Sequence, residues 1–286
     1  MFGEGLIRSM VPIPEVLNHY TSQAGLIGII GGRCVWASSI YYLNDAREFV
    51  YARDVFRQVA DNLLKKADPE IATIWRSKLE PYLTDRPQDR LHPFVFSLSA
   101  QGDLLSQWRG YTPVTGGYCI GFRTDVLASV LPKGFVLAPC IYSEKTQRAM
   151  VKRLLVDTKP RGQKDLFHVG WVRFSMALHH EFATVFKHPA FFQEEEWRCV
   201  SPWFGGKHGW SDDLKAPLLE VRVGNSMLTP YVKIKIPEDA MPSLISRVRV
   251  GPTPHVQLAA RVVEKFLQEH GISAEVVASK IPFRAW

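Results

Sequence analysis

Four short stretches of this chain carry side chains suited to chemistry. His19-Tyr20-Thr21-Ser22 puts an imidazole and three hydroxyls together at the end of an apolar run. Phe96-Ser97-Leu98-Ser99 ends a second apolar run with two more hydroxyls. Trp108 and Tyr111 follow at helical spacing, and Glu194-Glu195-Glu196-Trp197-Arg198 supplies three carboxylates beside a guanidinium. An imidazole at a strand end can hydrogen-bond a sugar hydroxyl or shuttle a proton, although such a histidine is more often structural. Neighbouring carboxylates repel one another, and a cation such as Arg198 or Lys187 favours keeping them ionised. Hydroxyls, an indole, a phenol and a carboxylate around one cleft would suit a polar, flat ligand.

The elements that must position these groups follow from periodicity. A strand over Leu17–Tyr20, a helix over Ala24–Ile30 and a strand over Val35–Ala37 open the chain. Asp45, with Glu48 three residues on, forms a capping box for a helix reaching Lys66. That role explains Asn44, Asp45 and Glu48 without a metal. A further helix covers Pro69–Tyr82, and residues 85–92 form a loop, so 45–92 reads as a helical insertion. Strand 94–99, a short helix opened by Gly102 and Asp103, and strand 118–122 follow. Next come a helix over 125–131, a strand over 135–142, a helix over 145–156 and a longer one from 165 to 186. The Glu-rich segment reads as a strand ending near Val200. Period two then puts Glu194, Glu196 and Arg198 on one face and Glu195, Trp197 and Cys199 on the other. A strand over 218–223 precedes a terminal strand-helix-strand unit (246–250, 254–269, 274–277), with Thr253 and Pro254 at N-cap and N1. Strands and helices without strict alternation indicate α+β. The whole chain, 1–286, reads as a single domain.

Composition narrows the function classes. The chain has 286 residues, 46% hydrophobic and 12% aromatic, as in an ordered globular protein. No apolar run approaches the roughly 20 residues needed to span a bilayer, and the N-terminus has no secretory pattern. Cys34, Cys119, Cys140 and Cys199 are scattered, which suggests free thiols in a cytoplasmic protein. No phosphate loop, serine elbow or zinc spacing is present. His179-His180-Glu181, flanked by His168 and His188, lacks the register of a metal helix. No metal ligand set can be assembled, which leaves a metal-dependent nuclease without support.

The net charge is +7, and residues 145–173 alone contribute +6. One reading is a polyanion-binding patch. The other is a solvated helix face followed by a loop. The latter is favoured because no aromatics interleave with the charges of 145–165, as base stacking needs.

Taken together, His19-Tyr20-Thr21-Ser22, Trp36-Ala37-Ser38, Leu43-Asn44-Asp45 with Glu48, Phe96-Ser97-Leu98-Ser99, Trp108 with Tyr111, Gly117–Phe122 and Glu194–Arg198 resemble the bacterial domain-of-unknown-function family 2971. Their order is similar to a distant version of the ADP-ribosyltransferase superfamily, which places a His on the first core strand, a Tyr or Ser on a later one, an aromatic on the next helix and a Glu near a late strand. The resemblance implies an α+β, split-sheet fold of that type. It implies an NAD-consuming ADP-ribosyltransferase or NAD glycohydrolase, with NAD as substrate, in a setting such as a toxin or phage-defence effector. By position, Glu196, Glu194 and Tyr111 take the catalytic places. His19, Tyr20, Thr21, Ser97, Ser99, Trp108 and Arg198 contact the nucleotide, with Lys187 or Arg109 as further candidates for the pyrophosphate. Ser97 departs from the Tyr of many relatives. The acceptor is a protein or nucleic acid left open by the sequence. The alternative is a non-catalytic nucleotide- or nucleic-acid-binding module using the basic 145–173 segment.

Overall fold

A computed structural model of the chain describes residues 11–43, 47–67, 69–70, 72–73, 76–77, 80, 93–113, 116–157, 182–202, 219–224 and 227–282. It is a mixed α and β structure built on an open sheet. The strands are β1 (Val16–Thr21), β2 (Cys34–Ser39), β3 (Phe94–Ser99), β4 (Tyr118–Arg123), β5 (Val136–Pro139), β6 (Glu196–Val200), β7 (Glu220–Val223), β8 (Leu228–Lys235), β9 (Ile245–Val250) and β10 (Glu275–Ala278). The main helices are α1 (Gln23–Gly32), α2 (Arg47–Leu64), α3 (Leu105–Tyr111), α4 (Thr124–Val130) and α5 (Glu144–Asp157). Two short turns, α6 (Ala183–Val185) and α7 (Met241–Leu244), and the longer α8 (Val256–Glu269) complete them.

The sheet divides at β3. One wing runs β10-β9-β4-β1 and the other β7-β8-β2. Both wings meet the same edge of β3, at opposite ends. β2 pairs Ser38 and Ser39 with Val95 and Phe94, whereas β1 pairs only Asn18 with Ser99. Phe96, Ser97 and Leu98 therefore have neither β1 nor β2 opposite them in the ladder. The other edge of β3 is paired along Val95–Ser99 by β6, which carries β5 on its far side. A separation between two wings leaves unpaired backbone and room for side chains at one place, and the site lies there.

Alternation fixes which face is buried. Val35, Ala37, Phe94, Phe96, Leu98, Trp197, Cys199, Val232 and Ile234 form one face of the central strands and pack against α1, α7 and α8. The strand β8 was not anticipated, although its Tyr-Val-Lys-Ile-Lys alternation is the signature of a half-buried strand. A second core lies under the helices. Ala52, Val55, Phe56, Val59 and Ala60 form an i, i+3, i+4 stripe on α2, facing Met150, Val151, Leu154 and Leu155 of α5 and Phe182–Phe186. Helix α2 of the insertion and helix α5 of the basic segment thus pack into one unit. Lys152 and Arg153 lie on the solvent-facing side of α5, while residues 158–173 of the basic segment lie outside the described residues.

Several expected boundaries move. The cap at Asp45, half of the residues 69–82, the loop 85–92 and most of helix 165–186 lie outside the described residues, and those of 69–82 that are described are helical. The last helix starts at Val256 rather than Pro254, with His255 at its N-cap. Thr253 still serves its start, accepting from the His255 backbone N–H at 3.4 Å. The Glu-rich strand begins only at Glu196. Glu194 ends a 3-10 turn (Pro189–Glu194), and Glu195 takes a left-handed φ of 41°. The period-two parity proposed for Glu194 does not apply, because a left-handed residue interrupts the pleat before the strand starts.

Candidate functional site

β1, β3, α3 and the segment leading into β6 surround an open cleft of about 330 Å³, the adjoining solvent included. Its lining is Asn18, His19, Tyr20, Ser97, Leu98, Gln107, Tyr111, Glu194 and Glu196. Six of these were singled out from sequence: His19, Tyr20, Ser97, Tyr111, Glu194 and Glu196.

The neutral wall is a consequence of the divided sheet. His19 reaches across the gap, and its Nδ1 lies 3.0 Å from the Ser97 carbonyl oxygen that no β1 or β2 ladder partner covers. Because a carbonyl only accepts, Nδ1 carries the proton and Nε2 is left with its lone pair. Burial pushes the imidazole down to about 4, more than the Ser97 carbonyl raises it, and Arg222 adds opposition to a second positive charge. His19 is therefore neutral at pH 7, an acceptor through Nε2. Its ring packs on Phe96 at 4.6 Å between centroids. Asn18 secures the end of β3 by donating to the Ser99 and Ala100 carbonyls at 3.2 and 3.3 Å.

The opposite wall is ionic. Arg198 is 1% exposed and grips Glu196 with two hydrogen bonds, Nε to Oε1 at 2.7 Å and Nη2 to Oε2 at 3.0 Å. Lys187 Nζ donates to Glu196 Oε2 at 2.6 Å and to Glu194 Oε2 at 2.5 Å. Burial alone would raise the Glu196 carboxyl, but Arg198 and then Lys187 outweigh it and hold it down at about 2. Two acids and two bases balance, as buried charges require. The cluster is braced from the helical unit. Gln147 donates to the carbonyls of Ile141 and Lys187, at 2.5 and 2.9 Å, and accepts from the Tyr51 hydroxyl at 2.7 Å. The Glu196 backbone N–H donates to the Tyr142 hydroxyl at 2.9 Å.

The remaining sequence candidates build the frame. Trp108 is 2% exposed, packs edge-on against Tyr20 at 4.8 Å, and donates its Nε1–H to Asp103 at 2.8 Å. A Cβ on Gly251 would come within 2.7 Å of the Trp108 ring, so only glycine lets β9 approach α3 this closely. Asp103 also accepts from the Ser279 hydroxyl and the Lys280 backbone N–H, which ties α3 to the chain beyond β10. Burial works to raise its carboxyl, and the Ser279, Lys280 and Trp108 donors together bring it below the ordinary range. Tyr20 lines the cleft, but its hydroxyl donates to the Gln101 carbonyl and accepts from Leu104 N–H. Ser99 is buried, donating to the Glu194 carbonyl at 2.6 Å. Thr21 is buried at the end of β1, and Arg198 turns to Glu196 and the Thr184 carbonyl. Thr21, Ser99, Trp108 and Arg198 are thus outside the cleft lining. Each is drawn into packing or satisfied by protein partners. The exposed Arg109 is also outside that lining.

Sequence reasoning missed three of the lining residues, Asn18, Leu98 and Gln107, and the one whose side chain makes no hydrogen bond to the described residues is Gln107. It stands one turn before Tyr111, and the i, i+4 relation on α3 was the available signal. Among the described residues no three His, Cys, Asp or Glu side chains group as metal ligands. None of the described helices is long and apolar enough to cross a membrane.

The second half of this site falls in a recognised sequence region. Residues 107–199 match the profile of a family described as "Protein of unknown function (DUF2971)". The match begins at Gln107 and ends at Cys199, so it takes in α3, β4, β5 and the ionic wall but not His19 or Ser97. No curated protein and no solved structure matches the chain.

Proposed function

We propose that the chain is an NAD-consuming ADP-ribosyltransferase or NAD glycohydrolase working in this cleft. The observation that carries the reading is the convergence of His19, Ser97, Tyr111, Glu194 and Glu196, from four distant stretches, around one opening. Their order along the chain is the order the superfamily resemblance implies. Most of that space is open to solvent and only about 50 Å³ is enclosed, well below the roughly 300–1,000 Å³ of whole-ligand pockets, so the cleft seats one small group of a ligand and leaves the rest outside it.

The chemistry assigned to the residues is simple. Breaking the bond between the nicotinamide nitrogen and ribose C1′ leaves the electron pair on the base and positive charge on the sugar. A fixed carboxylate beside the sugar stabilises that charge without reorganising. Water or an acceptor hydroxyl or amine then bonds to C1′ through its lone pair and releases a proton, whereas a carboxylate acceptor bonds with none to release. Glu194 and Glu196 form the anionic pole, Nε2 of His19 accepts from a sugar hydroxyl, and Tyr111 covers the base. Arg198 and Lys187 do not contact the substrate in this scheme; they keep the carboxylates ionised and aligned.

The test is release of nicotinamide from NAD by the purified protein, with and without protein and nucleic-acid acceptors, alongside direct NAD binding. Release that depends on Glu194 or Glu196 supports the reading. Absence of release overturns it, whether or not NAD binds.

A further inference from the structure

Gln107 is 7% exposed, yet its carboxamide has no hydrogen-bond partner among the described residues. Its backbone N–H is used by the Leu104 carbonyl at 3.1 Å, so only the side chain is open. The side chain lines the cleft on the same face of α3 as Tyr111. The body of the side chain is buried while its amide nitrogen and oxygen stay open to solvent, so these groups find their hydrogen bonds in the cleft. Among the other polar side chains at the cleft, Tyr20, Asn18, Ser99 and Glu196 have partners, and His19 uses Nδ1 while Nε2 stays open. A side chain held nine-tenths buried, with its free donor and acceptor open to the cleft, is placed to meet a ligand there.

We infer that Gln107 is a specificity-determining residue that pairs edge to edge with the carboxamide of a nicotinamide-type base. This rests on the proposed function and adds to it the means by which the base is read. A primary carboxamide presents one acceptor and two donors side by side. A second carboxamide meets that edge reciprocally, N–H to O in both directions. A methyl ketone at the same position keeps the acceptor and loses the donor, which leaves the Gln107 oxygen buried and unpaired. Tyr111, one turn on, lies against the flat face of the same base. The pairing is neutral, so it does not disturb the balanced charges of Lys187, Glu194, Glu196 and Arg198.

The experiment compares the parent with Gln107→Met, which keeps length and volume, and with Gln107→Ala as a second variant. Binding of free nicotinamide and of 3-acetylpyridine is measured by calorimetry, turnover is measured with NAD and 3-acetylpyridine adenine dinucleotide, and melting temperature is recorded without ligand. The expected result is that the parent prefers nicotinamide by about 10- to 100-fold and the variants lose that preference. KM for NAD rises in the variants more than kcat falls. Gln107→Met melts no lower than the parent, since the amide makes no hydrogen bond to the described residues; a residue kept for the fold would melt lower. A parent with no preference, or variants that retain it, overturns the inference. The two proposals fail separately. NAD turnover unaffected by Gln107→Met removes the role of Gln107 and leaves the enzyme reading standing. Nicotinamide binding that depends on Gln107 without any NAD turnover does the reverse. A parent that binds neither nicotinamide nor NAD overturns both.

Discussion

The two walls of the cleft solve the problem of burying polar groups in opposite ways. On the ionic wall every charge is matched: Glu196 accepts from Arg198 and Lys187, and Lys187 also holds Glu194. On the neutral wall His19 Nε2 and the Gln107 amide have no partner among the described residues. A saturated cluster resists rearrangement, because removing one member leaves another buried and uncompensated. An unsaturated wall leaves its groups open to a ligand. Within the ionic wall the same contrast separates the two acids. Glu196 has three charge-assisted donors and a side chain 7% exposed, whereas Glu194 has one donor and is 15% exposed.

The sharpest way to break this comparison is to neutralise the two acids in turn. Glu196→Gln leaves Arg198 and Lys187 buried against a single remaining carboxylate. It is expected to destabilise the fold by about 3–5 kcal/mol, besides lowering turnover. Glu194→Gln removes the less committed carboxylate. It is expected to cost about 1 kcal/mol of stability or less, because Lys187 keeps Glu196. If Glu194 stabilises developing charge on the sugar, its turnover falls about 100- to 1000-fold. Chemical denaturation and nicotinamide release separate the effects. Equal stability of the two variants would show that Glu196 is no more a structural hub than Glu194.

The neutral wall has its own signature with pH. The His19 imidazole is held at about 4 in the folded chain, below its ordinary value near 6.5. Between those values the unfolded chain binds more protons, so stability rises with pH across this window and is lost as pH falls from about 6.5 towards 4. His19→Gln is expected to remove about 1–3 kcal/mol of that dependence. Denaturation of both proteins at pH 7 and pH 4.5 measures the difference. The Glu196 carboxyl, at about 2, contributes stability that is present above its unfolded value near 4.5 and fades only below it. Parallel stability curves for parent and His19→Gln would remove the neutral, buried imidazole from this account.

The smallest effect is expected on α5. Its apolar stripe is packed on α2, and Lys152 and Arg153 face outward from it. Replacing both with Gln should change stability by no more than about 0.5 kcal/mol and leave NAD binding unchanged. A steep, salt-dependent loss of RNA or DNA binding in that variant would restore the non-catalytic binding module as the better reading.

Local pattern made much of this legible. Strands β1 to β4 and the terminal strand-helix-strand unit follow from alternation and helical spacing, and an ionised Glu cluster opposite Arg198 or Lys187 follows from charge alone. What local pattern did not reach was decided by contacts distant in sequence. Thr21, Ser99, Trp108 and Arg198 have the residue types of a binding site, but Asp103, Glu194, Glu196 and Thr184 claim the last three, and packing claims the first. Gln107 is unremarkable in sequence and stands out only because its side chain lines the cleft with no hydrogen bond to the described residues. Residue type and spacing determined which groups could act. Which of them remain free to act was decided by the tertiary structure, because hydrogen-bond capacity is finite and partners far along the chain use most of it first.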